Sequence, residues 1–335
     1  EVSFYRTDDE GIATFPVNTS DPAAHRLSRR TFVRTGAGVA VALTVGRRPL
    51  LQAAEPAPFK LRYVLSTNQY GALPIQDIVP EAKSAGYEGL DVWAGRWGNQ
   101  REQIDYLGHE KFAAILKQHA VKVSCYTCMD PGFGKCEPHL RAMLKFGGNQ
   151  IVAGFPNVPG GKDLRGAALR TAIRESLEKL KPIIGVAGEL KVELAIENHL
   201  NGLLETPAGV RILAEEIKEK HVGISFAPFH LPQDAELLGK LVDDVAGKIF
   251  YYYAWQFGDG SGDLAPSKQK RQLPGVGPLD FKPMLAALKR KKFNGYTSIF
   301  MHPSPRGSAL GSSVQDVTTE LGKARAFLDK ELVAV

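Results

Sequence analysis

From residue 60 onward the sequence alternates eight short β-rich runs with eight amphipathic stretches, and that count constrains the fold more than any other feature. The runs cover 61–67, 89–93, 122–128, 150–155, 193–199, 222–228, 249–255 and 297–302. Helical patterns lie between and after them, at 75–85, 109–119, 137–146, 164–187, 207–219, 234–246, 280–291 and 314–331. One helix after each of eight strands is the count of an α/β fold of the (β/α)8 TIM-barrel type. Gly86 stands where the first helix needs a C′ residue, and Asp280 reads as the N-cap of a helix opening at Phe281. A doubly wound open sheet alternates in the same way. It would carry a Gly-rich dinucleotide turn after its first strand, where this chain has Ser66-Thr67-Asn68-Gln69.

Length alone would suggest two domains for 335 residues, but a barrel commonly runs to about 250 residues as one. Residues 55–335 therefore read as a single barrel domain and 1–54 as an N-terminal extension. Within that extension Ser28-Arg29-Arg30-Thr31-Phe32-Val33 resembles a twin-arginine export motif. The apolar run from Gly36 to Val45 has the length of a signal h-region, too short to span a bilayer. Small residues and prolines follow at Ala53-Ala54-Glu55-Pro56-Ala57-Pro58, as near a cleavage site, although Arg47-Arg48 interrupt the c-region. The expectation is an exported, periplasmic protein with no membrane anchor once the signal is removed. Its oligomeric state stays open.

The chain carries a formal charge of +6, spread along its length. The longest basic run, Lys289-Arg290-Lys291-Lys292, suits a solvated helix end, where cations favour the dipole. No basic stripe with interleaved aromatics argues for nucleic acid. Cys125 and Cys128 fall on one strand, where three residues span roughly 10 Å and point to opposite faces, so they form neither a disulfide nor a redox pair. Cys128 with Cys136 stays geometrically open.

In a barrel, chemistry collects at the C-terminal strand ends, and parity tells which side chains point inward. The fifth run reads Glu193-Leu194-Ala195-Ile196-Glu197-Asn198-His199. Leu194 and Ile196 face the helices on this register, so Glu197 and His199 point into the mouth. A carboxylate there is costly without a cation or donor, which makes Glu197 a functional candidate. His230 lies just past the sixth run, His302 ends the eighth, and Asp91 lies on the second. Trp93, Trp97, Tyr253 and Trp255 offer rings for sugar stacking. Arg306, just past the eighth run, suits a carboxylate or hydroxyls. Lys122, Lys191 and Arg96 are further cations for an anionic substrate. Gly258-Asp259-Gly260-Ser261-Gly262-Asp263 reads as a lid or as a linker into the eighth unit.

Several of these residues sit in motifs. Ala195-Ile196-Glu197-Asn198-His199 resembles the fifth-strand motif of the xylose-isomerase-like sugar phosphate isomerase/epimerase superfamily. Gly86-Tyr87-Glu88-Gly89-Leu90-Asp91 resembles that family's second-strand signature. Gly275-Val276-Gly277-Pro278-Leu279-Asp280-Phe281, with Phe293-Asn294-Gly295, resembles its eighth unit. The resemblance covers roughly residues 60–331. It implies a divalent metal held by Glu, Asp, His and Glu on strands five to eight, with the two glutamates moving a proton beside a sugar carbonyl. Position by position, Glu197 matches the first ligand and His230 a following histidine. Ala227, Tyr253 and Phe300 stand where Asp, His and the second Glu belong.

Two readings follow. In the first, a sugar isomerase, epimerase or lyase keeps a remodelled site. Glu197 and His230 are catalytic there, and Glu197, His230 and His302 hold one divalent Mn, Zn or Fe. His199 joins Asp91, Trp93, Trp97, Tyr253, Trp255 and Arg306 against a small carbohydrate. In the second, the barrel binds carbohydrate without metal and without turnover. The related endonuclease branch, which uses a multi-zinc cluster at abasic sites, needs more His, Asp and Glu ligands than this mouth offers.

Overall fold

The computed structural model describes residues 58–261 and 264–335. The twin-arginine-like segment and the signal around it lie outside the described residues, so the export reading stays an expectation. Eight parallel strands close into a barrel in sequence order. They are β1 (Arg62–Ser66), β2 (Gly89–Trp93), β3 (Val123–Thr127), β4 (Gln150–Gly154), β5 (Glu193–Glu197), β6 (Val222–Phe226), β7 (Ile249–Ala254) and β8 (Tyr296–Ile299), and β8 pairs back onto β1. The helical layer contains α1 (Ile75–Ser84), α2 (Gln100–Leu107), α3 (His109–His119), α4 (Glu137–Leu144), α5 (Gly166–Leu190), α6 (Pro207–Glu216), α7 (Ala235–Val245), α8 (Pro266–Gln269), α9 (Lys282–Arg290) and α10 (Val314–Val333). Among the described residues no helix is long and apolar enough to cross a membrane.

Both faces of such strands are covered, one by helices and one by the barrel's own packing, so apolar and aromatic residues run almost without interruption. The tyrosine run of β7 shows the alternation. The Tyr252 hydroxyl reaches outward to Sδ of Met284 on α9, while the Tyr251 hydroxyl crosses the interior to Asp91 on β2. One-residue register shifts at Leu90/Asp91 and Ile224/Ser225 keep Asp91, Cys125, Ser225 and Tyr251 facing the same interior. Three helices open on side-chain caps: Thr206 accepts from the Gly209 N–H, Asp234 from Leu237 and Ser313 from Asp316.

The structure differs from the sequence expectation at element ends. Most strands stop one to three residues early, because the chain leaves the ladder there for the loops of the mouth. After β5 the Asn198 side chain replaces the ladder: its Nδ2 donates to the Ala227 carbonyl at 2.9 Å and its Oδ1 accepts from the Ala227 N–H at 2.8 Å. Helices α2 and α8 are additional. Asp280 does not occupy the N-cap position of α9, which falls on Phe281. Its carboxylate nevertheless accepts from the Lys282 N–H at 2.9 Å. Gly86 does follow α1 with φ +69°. Cys125, Cys128 and Cys136 are all buried and free, so the Cys128–Cys136 pairing is not made.

Candidate active site at the barrel mouth

Glu197 is the last residue of β5, and its inward parity carries its carboxylate into the mouth. One residue further on, the Asn198 clamp holds the departing chain against β6, which fixes where His199 emerges. His230 closes a 3-10 turn, Pro228–His230, directly after β6. One ligand atom from each of Glu197, His199 and His230 falls within 4.8 Å of the other two. Oε1 of Glu197 stands 3.5 Å from Nε2 of His230, and the rings of His199 and His230 have centroids 4.1 Å apart.

The electrostatics of this cluster follow from burial. Desolvation pushes the Glu197 carboxyl up to about 7, partly offset by the nearby His199 and the Tyr253 hydroxyl. Burial, with a smaller contribution from the positive Arg306, takes His230 down to about 3. His199 is also lowered, by burial and then by His230. Both histidines are therefore neutral near pH 7, the form that ligates metals. Both ring nitrogens of His230 lack a hydrogen-bond partner although the residue is only 3% exposed. Nδ1 of His199 lies 3.0 Å from the Leu200 carbonyl oxygen. With the proton on Nδ1, that contact leaves the Nε2 lone pair free.

The other side of the mouth is sealed by aromatic packing. Phe300, at the position of the second glutamate, packs on Trp93, Tyr253, Trp255 and His302 with centroids between 4.8 and 5.3 Å. His302 meets Trp255 edge-on at 4.8 Å, and its backbone is clamped by Gln272, which accepts from its N–H and donates to its carbonyl. His302 stands outside the three-ligand cluster, and His199 takes the place expected for it.

Four residues expected to touch substrate are inside the protein instead. Asp91 has no exposed surface and accepts from Ser66, Trp93, Thr127 and Tyr251. Trp93 is buried with its indole N–H spent on Asp91. Trp255 is buried flat on Phe229 at 3.9 Å, its N–H given to Gln272. Tyr253 is buried as well, but its hydroxyl makes no hydrogen bond of regular geometry and lies beside Glu197. Lys122 and Lys191 precede β3 and β5, which puts them at the end of the barrel away from the mouth.

Trp97 does line an open cavity of about 360 Å³ together with His199, Met129, Phe155, Asn157 and Asn201. This places the open side of the mouth beyond β3, β4 and β5. Phe155, Asn157 and Asn201 were not anticipated. The available signal was their position in the loops just past β4 and β5, where barrel ligands bind. The Arg306 guanidinium lies 5.4 Å from the Trp97 ring centroid on the same rim.

The family model for the xylose isomerase-like TIM barrel matches residues 79–329. No curated protein matches the chain by sequence. Among solved structures, similarity extends to a probable 3-DHS dehydratase, AsbF, of petrobactin synthesis from Bacillus anthracis (17% identity over 80% of this chain and 98% of that one, TM-score 0.59). It also extends to the IOLI protein with a bound zinc atom (14%, 80% and 98%, TM-score 0.59). A third is the D-psicose 3-epimerase of Clostridium cellulolyticum H10 with D-tagatose (12%, 81% and 99%, TM-score 0.60). At these identities the likeness concerns the fold.

Proposed function

The chain belongs to the xylose isomerase-like TIM barrel family, and from that premise we propose that it is a sugar-directed isomerase, epimerase or lyase with a rebuilt divalent-metal site at Glu197, His199 and His230. The observation that carries this reading is the convergence of those three ligand atoms within 4.8 Å. The donor set fits a metal. His230 is buried with two unpartnered nitrogens, and Glu197 is buried with no cation beside it, an arrangement costly to keep unless something is bound. Two imidazoles and one carboxylate suit Zn, Mn or Fe with positions left for substrate.

When bound, such an ion polarises the carbonyl and hydroxyl oxygens of a sugar. The chain's own residues supply the rest. His199 and His230 stay neutral and hold their lone pairs toward the centre. Glu197 takes a proton from the carbon next to the carbonyl and returns it. Phe300 and its aromatic neighbours exclude water from the opposite side. With phenylalanine at position 300, only one face of the substrate meets a carboxylate. That favours a proton shift or an elimination served by a single base over inversion between two glutamates. Trp97 and Phe155 offer apolar faces to the sugar, and Asn157 and Asn201 lie where hydroxyls would be met.

The test is metal content of the purified protein, compared with Glu197→Gln and His230→Ala. Near one transition metal per chain, lost in both variants, is the expected result, followed by proton-exchange assays on free sugars. Absence of metal in all three moves the weight to a metal-free carbohydrate-binding barrel, for which the Trp97-lined cavity is the supporting feature. The exported, periplasmic setting is part of the same reading, and secretion of a fusion through the twin-arginine route tests it.

A further inference from the structure

We infer that the substrate carries a carboxylate, and that Arg306, stacked on Trp97 at the rim of the cavity, binds it while the adjoining carbons lie over Glu197, His199 and His230. The inference rests on the reading of this mouth as a sugar site and adds the substrate's charge to it. Three observations converge on it. First, among the described residues Arg306 forms no ion pair and no hydrogen bond, whereas its neighbour Arg96 is engaged by Asp130 at 3.0 Å. Both guanidinium groups pack on Trp97, Arg96 at 4.8 Å and Arg306 at 5.4 Å, so Arg306 is held in place by a ring rather than by a counter-ion.

Second, the loop carrying Arg306 is built to approach the Trp97 loop closely. Gly307 sits at φ +87°, and a Cβ there would come within 2.8 Å of the Arg96 carbonyl oxygen, so the two backbones meet where a larger residue would separate them. Third, the ring that holds Arg306 shares a cavity with the proposed site. Arg306 is exposed, and Trp97 beneath it lines the cavity of about 360 Å³ that His199 also lines. A positive group without a counter-ion at that position invites an anion from outside.

One guanidinium without a counter-ion matches a carboxylate better than a phosphate dianion. Its planar fork pairs with two carboxylate oxygens, while the neighbouring Arg96 is already taken by Asp130. The substrate class is then a sugar acid, such as a uronate or an aldonate, with its carboxylate on Arg306 and its apolar ring face on Trp97.

The experiment is calorimetric titration of the purified protein with D-glucuronate, D-galacturonate, D-gluconate, D-glucose and D-glucose 6-phosphate. Wild type, Arg306→Gln and Arg306→Lys are compared at low and high salt, with metal content measured on the same samples. At least one acid is expected to bind roughly tenfold or more tightly than glucose, a preference that Arg306→Gln abolishes and Arg306→Lys reduces. Raised salt should weaken the acid and spare glucose. Equal affinity for glucose and the acids, no binding by any acid, or an acid preference surviving in Arg306→Gln overturns the inference. A glucose 6-phosphate affinity above that of every acid, with the same dependence on Arg306, replaces the carboxylate with a phosphate and also overturns it. Metal loss alone, with the acid preference intact, counts against the metal site and leaves this inference standing.

Discussion

Oε1 of Glu197 and Nε2 of His230 stand 3.5 Å apart, and among the described residues neither side chain makes a hydrogen bond of regular geometry. The pair is buried, so its cost is tied to ionisation. Glu197 titrates near 7 in the folded chain against an ordinary value of 4.5, and the folded state therefore holds the proton more tightly. By linkage, the stability this group contributes is complete below pH 4.5, declines between 4.5 and 7, and stays at its lower level above.

Glu197→Gln removes that decline. In metal-free protein at pH 7.5 the variant should melt at the same temperature as wild type or a few degrees higher, since the penalty for ionising Glu197 is on the order of 3 kcal/mol. At pH 5 the two should melt alike, and turnover should be lost at both. Scanning calorimetry across pH 4.5–8 decides this. A variant less stable than wild type at pH 7.5 would mean that the ionised carboxylate is well compensated, and the argument for an open ligand site would fail.

Asp91 is a structural hub, not a substrate contact, and its two obvious substitutions separate those roles. Alanine leaves Ser66, Trp93, Thr127 and Tyr251 without their common acceptor and should cost about 3–5 kcal/mol in urea unfolding. Asparagine can keep the oxygen that serves Ser66, Trp93 and Tyr251 and turn its amide toward the Thr127 hydroxyl, which can accept. Asp91→Asn should therefore recover most of the loss and leave KM near the wild-type value. A large rise in KM with stability intact would return Asp91 to the substrate.

The barrel was legible because each strand is covered on both sides, which forces eight apolar runs at regular spacing. Glu197 was legible for a related reason: parity along β5 decides which residues point inward, and Glu197 is its last residue. Parity fails once the chain leaves the ladder. His302 shares the parity of Phe300, yet β8 ends at Ile299, and the backbone of His302 is steered by Gln272 from a distant loop. Trp93 and Trp255 were misread as sugar platforms because a sequence does not show that their indole N–H groups are taken by Asp91 and Gln272. Trp97 and Arg306 lie in loops and could be named only as neighbours of the mouth; their stacking needed coordinates.

Replacing His302 separates the ligand set expected from the sequence from the proposed set of Glu197, His199 and His230. His302→Phe keeps an aromatic ring against Trp255 and Phe300 and removes a nitrogen that burial keeps uncharged. Metal content should stay at the wild-type level, with stability changed by less than about 1.5 kcal/mol, as for other volume-conserving core changes. His199→Ala should lose the metal. Elemental analysis of the two variants side by side reads the outcome, and metal lost from His302→Phe but kept by His199→Ala would restore the original assignment.

Asn198 ligates no metal in the proposed site yet determines where His199 can be. Its amide makes two hydrogen bonds to the Ala227 backbone, at 2.9 and 2.8 Å, bridging the ends of β5 and β6 just before His199 on one side and His230 on the other. Asn198→Ala orphans the buried Ala227 N–H and leaves the Ala227 carbonyl only its 3.3 Å bond from the His230 N–H, at a cost of roughly 1–3 kcal/mol. It should also weaken metal binding, because both histidine-bearing segments lose their common tie. Asn198→Asp keeps the acceptor for the Ala227 N–H but places a carboxylate oxygen against the Ala227 carbonyl, so it should rescue little. Chemical denaturation paired with competitive metal titration tests the coupling. A variant that loses stability but binds metal as wild type would show that His199 and His230 are positioned without the clamp.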